Sequence, residues 1–319
     1  MSESPPAEPA PNPLWDITRY LIVAVIAGGL IYFYGFHSPT IYVSREHTGR
    51  TMGTDYIVKV AQFPENGDWQ KIADEIQDRL DALEQMLSTD RQDSDVSRFN
   101  AFTSTEDWFP VSRETAQVVH TALEISRLTE GAFDITLVPL QEQTGYEKLS
   151  VRLDPPALKK SIPELTIGLS AIANGFAVDS IAELLDAHRI TDYFIEVGIV
   201  ARGKGRRNRE GDWIVGIEKP SLDQFPGIQQ EFPLRDQTLA KSGSHPIQMS
   251  SANVSGADER ASVSILAPHS TQADALTTAM LVLGEQKGLE LANRHGIAVL
   301  FLLRNDDEIR EASSNYWGR

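Results

Sequence analysis

The sequence predicts an α/β (α+β) fold: one domain over residues 40–319, with a mixed sheet flanked by helices and an N-terminal transmembrane helix ahead of it. Three observations predict it. Apolar residues at helical spacing alternate with short β-branched runs along most of the chain. Several of those runs lie close enough in sequence to pair as hairpins, so a purely parallel sheet is not expected. A charge-free apolar run near the start stands apart from both patterns.

Residues 1–18 open the chain. Pro, Ser, Ala and Glu dominate the first 14, a composition that cannot bury a core, and the segment is expected to be disordered. Tyr20 to Phe36 then reads YLIVAVIAGGLIYFYGF without a charge. That is the short end of a membrane-spanning length. Tyr20 at one end and Tyr32, Phe33 and Tyr34 at the other suit the two interfaces. A cleaved signal peptide is the competing reading, but no small-x-small cleavage site follows. Residues 19–36 are therefore read as an uncleaved signal anchor. Arg19 precedes the span and places the N-terminus in the cytoplasm. The expected location is the bacterial inner membrane, single-pass, with the domain in the periplasm.

Within the domain, residues 54–61 (TDYIVKVA) alternate as a strand. Trp69 to Leu87 carries Ile72, Ile76, Leu80, Leu83 and Leu87 on one helical face. Ser112 is placed to cap a second helix that turns Val118, Val119, Leu123 and Ile125 inward. Leu169 to Ala187 makes a third. Residues 193–201 and 213–218 read as strands, as do 262–267 and 297–303. Between them, 202–212 (RGKGRRNREGD) is a basic turn, most simply a solvated hairpin tip.

Composition excludes several functions. With 45 acidic against 29 basic residues, the net charge is −16, which argues against non-specific nucleic-acid binding, since that needs a basic face. There are no cysteines. Disulfides, thiolate nucleophiles, Cys-based metal sites and a lipidated N-terminal Cys are all ruled out.

The most informative stretch is Thr271-Gln272-Ala273-Asp274-Ala275-Leu276-Thr277-Thr278-Ala279. It follows a strand-like run and opens a helix. Asp274 and Thr278, four residues apart, share a helix face one turn apart. Two hard oxygens so placed suit Mg²⁺, with water and phosphate completing its shell. The alternative is an ordinary first-turn Asp that complements the helix dipole, beside an ordinary Thr.

Seven short blocks, in order, resemble the ApbE family of FAD:protein FMN transferases. They include Thr51-Met52-Gly53-Thr54-Asp55-Tyr56, and Leu87-Ser88 followed by Ser94-Asp95-Val96-Ser97-Arg98-Phe99-Asn100. Next come Thr129 to Leu140 (TEGAFDITLVPL) and Leu169 to Asp179 (LSAIANGFAVD). Trp213 to Pro220 (WIVGIEKP), Ala240-Lys241-Ser242-Gly243 and the Asp274 stretch complete the series.

The resemblance implies a flavin-transferase fold that takes FAD as substrate and Mg²⁺ as cofactor. It implies transfer of FMN to a Thr or Ser hydroxyl of a flavin-accepting subunit of a membrane redox complex, with release of AMP. Asp274 and Thr278 would then carry catalysis as metal ligands, with the Ala173 backbone completing the metal site. Met52, Gly53, Thr54, Ser88, Phe133, Asp134, Asn174, Asp179 and Ser242 would bind the cofactor. Met52 and Gly53 would lie against a ring, and Phe133, Asp134 and Thr136 would shape the pocket wall.

The chain departs from the family pattern at several points. Gly168 stands where the family has Asp, and Asn174 where it has Lys. Gln141 to Tyr146 replaces an aromatic-Gly loop. Glu196 to Val200 keeps one Gly of a glycine turn. Residues 243–262 lack the family's His-x-Ile-Asp-Pro block; His245 is out of register. Two other readings therefore stay open. One is a catalytically degenerate, membrane-anchored flavin- or partner-binding relative. The other is a metal-dependent FAD pyrophosphatase, in which water replaces the acceptor.

Overall fold

A computed structural model describes Val25 and residues 42–136, 144–207, 211–220, 227–242, 261–305 and 308–318. The chain divides into two units, Met1–Tyr42 and Val43–Arg319. Apart from Val25, the predicted disordered segment and the predicted span lie outside the described residues. Among the described residues, no helix is long and apolar enough to cross a membrane.

The second unit is built on an eight-stranded sheet in the order β1-β2-β6-β7-β10-β11-β12-β13. Its strands are β1 (Tyr42–Thr51), β2 (Thr54–Pro64), β6 (Tyr193–Val197), β7 (Val200–Lys204), β10 (Gln237–Ser242), β11 (Ala261–Ala267), β12 (Ala298–Asn305) and β13 (Glu308–Ser313). β3 (Phe109–Pro110), β4 (Leu149–Leu153) and β5 (Pro156–Lys160) form a small second sheet. β8 (Trp213–Glu218) and β9 (Ile228–Leu234) form a hairpin. The helices are α1 (Trp69–Leu87), α2 (Asp95–Ala101), α3 (Arg113–Leu128), α4 (Ser170–Ala187) and α5 (Ser270–His295).

Period-two alternation sends the two faces of the large sheet into different cores. Val58, Val60, Ile195, Val197, Val263, Ile265, Val299 and Phe301 meet the helices. Phe194, Ala201, Leu239, Leu266, Leu300 and Leu302 meet Trp213, Val215, Ile217, Phe232 and Leu234 of the hairpin. On α1 the predicted stripe Ile72, Ile76, Leu80, Leu83 and Leu87 is buried. Each such side chain contributes about 1.5–3 kcal/mol. Ser112 caps α3 as expected: its side chain accepts the Thr115 N–H at 3.1 Å.

Three expectations are corrected. Residues 193–201 are not one strand. Gly198, at φ 56°, turns the chain after Val197, and Val200 starts β7 antiparallel to β6. Apolar side chains continue through the turn, so hydrophobicity alone hid it. β7 also runs into the predicted basic turn as far as Lys204. The sheet is not mixed in direction either: every pairing recorded from β2 to β13 is antiparallel.

The connection through α5 shows how an antiparallel pair survives a helical crossover. Leu266 of β11 pairs with Ala298 of β12, so the chain must return to the end of the sheet it left. A straight helix of 26 residues would carry it about 39 Å away. The helix is instead broken at Gly284 (φ 70°, ψ 177°) into two limbs, a backbone conformation open chiefly to glycine.

Candidate active site

The site is built where the first turns of α4 and α5 meet. Gly175 is the point of closest approach. A Cβ added there would lie 2.2 Å from the Ser270 carbonyl oxygen and 2.8 Å from the Asp274 Cβ. Only glycine lets the two helices come this near. Through the gap the Gly175 N–H donates to Asp274 Oδ2 at 2.9 Å.

Asp274 is 2% exposed. Burial drives its carboxyl pKa up to about 7, against a smaller opposing effect of the Gly175 N–H. No cation pairs with it among the described residues. A buried carboxylate without a counter-charge is costly unless something positive joins it. Thr278, half-buried, follows one turn later, and Ala173, buried, lies two residues before Gly175. A carboxylate, a hydroxyl and a backbone carbonyl are hard oxygen donors that fit Mg²⁺. Among the described residues no cluster of three or more His, Cys, Asp or Glu could form an all-protein cage. Such a cation would therefore keep positions for water and phosphate.

Beside this junction three segments converge. A Cβ on Gly198 would stand 3.0 Å from Thr54 Oγ1 and 3.1 Å from Asn174 Nδ2. The β6–β7 turn, the start of β2 and α4 thus share one spot. Met52 and Gly53 form the tip of the β1–β2 hairpin, with φ of 49° and 79°. Positive φ at both central residues is what the tightest hairpin turn requires, and it is strained for Met52. Glu84 of α1 holds the strained residue by accepting the Met52 N–H at 3.1 Å.

The ApbE family profile matches residues 52–301. The chain belongs to the ApbE family. The FAD:protein FMN transferase of Vibrio cholerae serotype O1 is 34% identical over 304 residues, covering 84% of this chain and 90% of that protein. The FAD:protein FMN transferase of Escherichia coli K12 is 30% identical over 300 residues, covering 82% and 85%. Among solved structures, the flavin transferase ApbE from Vibrio cholerae superposes with a TM-score of 0.76 at 32% identity. It covers 87% of this chain and 99% of that one.

Other ApbE blocks show structural duties in detail. Phe133 is buried in the main core. Asp134 Oδ1 accepts the Thr136 N–H and hydroxyl, both at 2.8 Å, and Oδ2 accepts the Tyr146 N–H at 2.9 Å. Thr136 Oγ1 accepts the Gly145 N–H at 2.8 Å. Together these bonds tie Asp134 and Thr136 to Gly145 and Tyr146; residues 137–143 lie outside the described residues. Burial raises the Asp134 pKa, opposed by the two Thr136 donors. Ser88 ends α1; its carbonyl accepts the Ser94 hydroxyl at 2.5 Å. Ser242, buried, closes β10 opposite Val263. His245 and the remainder of 243–260 lie outside the described residues.

Asp179 is occupied within the fold. Its Oδ1 accepts the Ser270 N–H at 2.9 Å, and its Oδ2 accepts the Thr271 N–H at 2.8 Å and hydroxyl at 2.7 Å. Sequence reasoning missed two contributors. Thr277, beside Asp274, donates its hydroxyl to the Asp274 carbonyl at 2.7 Å. Lys160 is 1% exposed; its Nζ donates to the Leu165 carbonyl at 2.8 Å and the Asn100 carbonyl at 3.3 Å. Burial lowers its pKa. Asn100 in turn brackets Ile167, donating to its carbonyl at 2.9 Å and accepting its N–H at 2.8 Å. The strap leading into α4 is thereby fixed. Asn100 had a signal, its place in the SRFN block, whereas Lys160 had none.

An open groove of about 660 Å³ lies elsewhere, lined by Glu46, Lys59, Phe194, Arg207, Trp213 and Ile214 among others. Phe194 and Trp213 belong to the hairpin-side core, so this groove is on the sheet face opposite the one that packs against α4 and α5.

Proposed function

We propose that this chain transfers FMN from FAD to a Thr or Ser hydroxyl of a partner protein, releasing AMP. The observation that carries the reading is Asp274: a buried carboxylate, without a cation partner among the described residues, at the α4–α5 junction of an ApbE-family fold. The acceptor oxygen attacks the phosphorus on the FMN side of the pyrophosphate. The bond to the bridging oxygen breaks, AMP leaves with that oxygen, and the hydroxyl proton passes to solvent. Such a reaction rests on positioning and on neutralising phosphate charge.

Asp274, Thr278 and the Ala173 carbonyl would hold Mg²⁺, which would supply Lewis-acid stabilisation of pyrophosphate charge. Thr54 and Asn174 offer a hydroxyl and an amide beside the same junction. Asn174 can donate a hydrogen bond to phosphate but brings no charge. Met52 and Gly53 present a soft side chain and an open backbone to a ring.

The acceptor we propose is a subunit of a membrane redox complex. The chain would reach it from the periplasmic face of the inner membrane, anchored by residues 19–36. The uncharged run at 20–36 supports this placement. Full-length protein resists carbonate extraction from membranes on this account. A mature soluble form beginning near residue 40 would refute the anchor. For the chemistry, AMP release from FAD is measured with and without Mg²⁺ in wild type and Asp274→Asn. Mg²⁺-dependent release in wild type alone is expected. Equal release by the variant would remove Asp274 from the metal site.

A further inference from the structure

We propose that Asp179 and Arg202 are positioning residues: they fix the start of α5, and through it the Asp274 carboxylate, instead of touching the flavin. The proposal rests on the reading of Asp274 as a Mg²⁺ ligand.

The start of α5 is not capped by its own sequence. His269 precedes the helix and makes no side-chain bond to the first-turn N–H groups. Those groups need acceptors. Asp179 supplies them from α4, through the three bonds to Ser270 and Thr271. Its negative charge also sits at the positive end of the helix dipole. Arg202, on β7, lies 3.5 Å from Asp179 Oδ1 and donates through Nη1 to the Pro268 carbonyl at 2.6 Å. Thr238 of β10 shares a hydrogen bond of 2.8 Å with the Ser270 hydroxyl. Residues 268–271 are thus gripped by α4, β7 and β10 together.

Gly175 and Asp179 are one helical turn apart on the same face of α4. The glycine admits α5 to close contact and receives Asp274. The carboxylate, one turn on, sets where α5 begins. Asp274 follows Thr271 by three residues, about 4.5 Å of helical rise. Any play at Thr271 therefore reaches the metal-binding oxygens directly. Both Asp179 oxygens are already committed and the side chain is only 19% exposed, which leaves it little to offer a flavin.

The test uses the full chain and Asp179→Asn. Asn keeps one acceptor oxygen and turns an amide N–H₂ towards groups that themselves donate. Three quantities are read: Mg²⁺ half-saturation, by thermal shift and by AMP release; the KM for FAD; and amide hydrogen exchange at 270–275. A supporting group of this kind governs metal affinity about tenfold or more. The expected result is a rise of that size in Mg²⁺ half-saturation and faster exchange at 270–275. The KM for FAD, and kcat at saturating Mg²⁺, should stay within about twofold.

A raised KM for FAD with unchanged Mg²⁺ half-saturation would make Asp179 a flavin contact and overturn the proposal. A lower Tm with both constants unchanged would reduce it to a structural cap. Asp274→Asn, run alongside, separates this proposal from the reading beneath it. If that variant keeps the wild-type Mg²⁺ response, the metal reading falls, and positioning with it. If it loses the response while Asp179→Asn keeps it, positioning alone falls. Should Asp179→Asn not fold, Arg202→Lys, which lacks the planar fork, tests the same grip, and an unchanged Mg²⁺ half-saturation there is equally fatal.

Discussion

Replacing Gly175 with Ala tests the helix junction on which the site depends. Two effects oppose each other. Ala in a helix interior is favoured over Gly by roughly 0.5–1 kcal/mol. Against that, the new Cβ would start 2.2 Å from the Ser270 carbonyl oxygen and 2.8 Å from the Asp274 Cβ. Relief needs α4 and α5 to part by about 1 Å, and inserting a methyl into a packed core of this kind costs about 1–3 kcal/mol or more. The obstacle at Ser270 is backbone, which cannot swing aside like a side chain. Separation also lengthens the Gly175–Asp274 hydrogen bond, worth about 1.5–3 kcal/mol when the acceptor is charged. We expect a net loss of about 2–3 kcal/mol, which lowers Tm by roughly 3–5 °C in a domain of this size. Thermal denaturation followed by circular dichroism reads it, with Mg²⁺ titrated in parallel. A variant as stable as wild type, with the same Mg²⁺ response, would show that the helices are not pressed together at Gly175.

Further outcomes follow from individual residues. The folded-state pKa of Asp274, near 7, exceeds its ordinary value of 3.8, so the contribution of this one group to the stability of metal-free protein should be greatest below pH 4. That contribution should then fall by up to roughly 4 kcal/mol as pH rises to 7 and above. Mg²⁺ should restore that loss, and Asp274→Asn should abolish the slope; pH-dependent urea denaturation decides. Asn174→Lys adds a cation where we propose the pyrophosphate binds and should tighten FAD binding in a flavin-fluorescence titration, least when Mg²⁺ is saturating. Tight FAD binding by wild type without metal would show that another group supplies the charge. Lys160→Ala strips the Leu165 and Asn100 carbonyls of their donor and opens a cavity; about 2–4 kcal/mol of stability should be lost in denaturant titration. A loss under about 0.5 kcal/mol would mean that Lys160 does not secure the strap.

Much of the scaffold was legible because it follows local rules. The α1 stripe, the Ser112 cap and the extent of β8 can be read from spacing and residue type alone. β1 was not, because an edge strand reading YVSREHTGRT buries little and shows no apolar alternation. The β6–β7 turn was hidden for the opposite reason, apolar side chains on both sides of Gly198. At the site, the Asp274–Thr278 spacing was visible in sequence. The approach of Gly175 to Asp274 joins residues 99 apart, and no local pattern encodes it. Asp179 illustrates the limit best. Its block marked it as a site residue, but only the fold reveals that its carboxylate serves the next helix.

The most direct test of FMN transfer is to follow the flavin into protein. Full-length chain is incubated with FAD, Mg²⁺ and membranes from cells that lack it. Denaturing gels are then read for flavin fluorescence, and AMP is quantified in the same samples. The account predicts a fluorescent protein band that grows in step with AMP and is missing with Asp274→Asn. Release of AMP together with free FMN, and no fluorescent band, would contradict it and identify the chain as a pyrophosphatase.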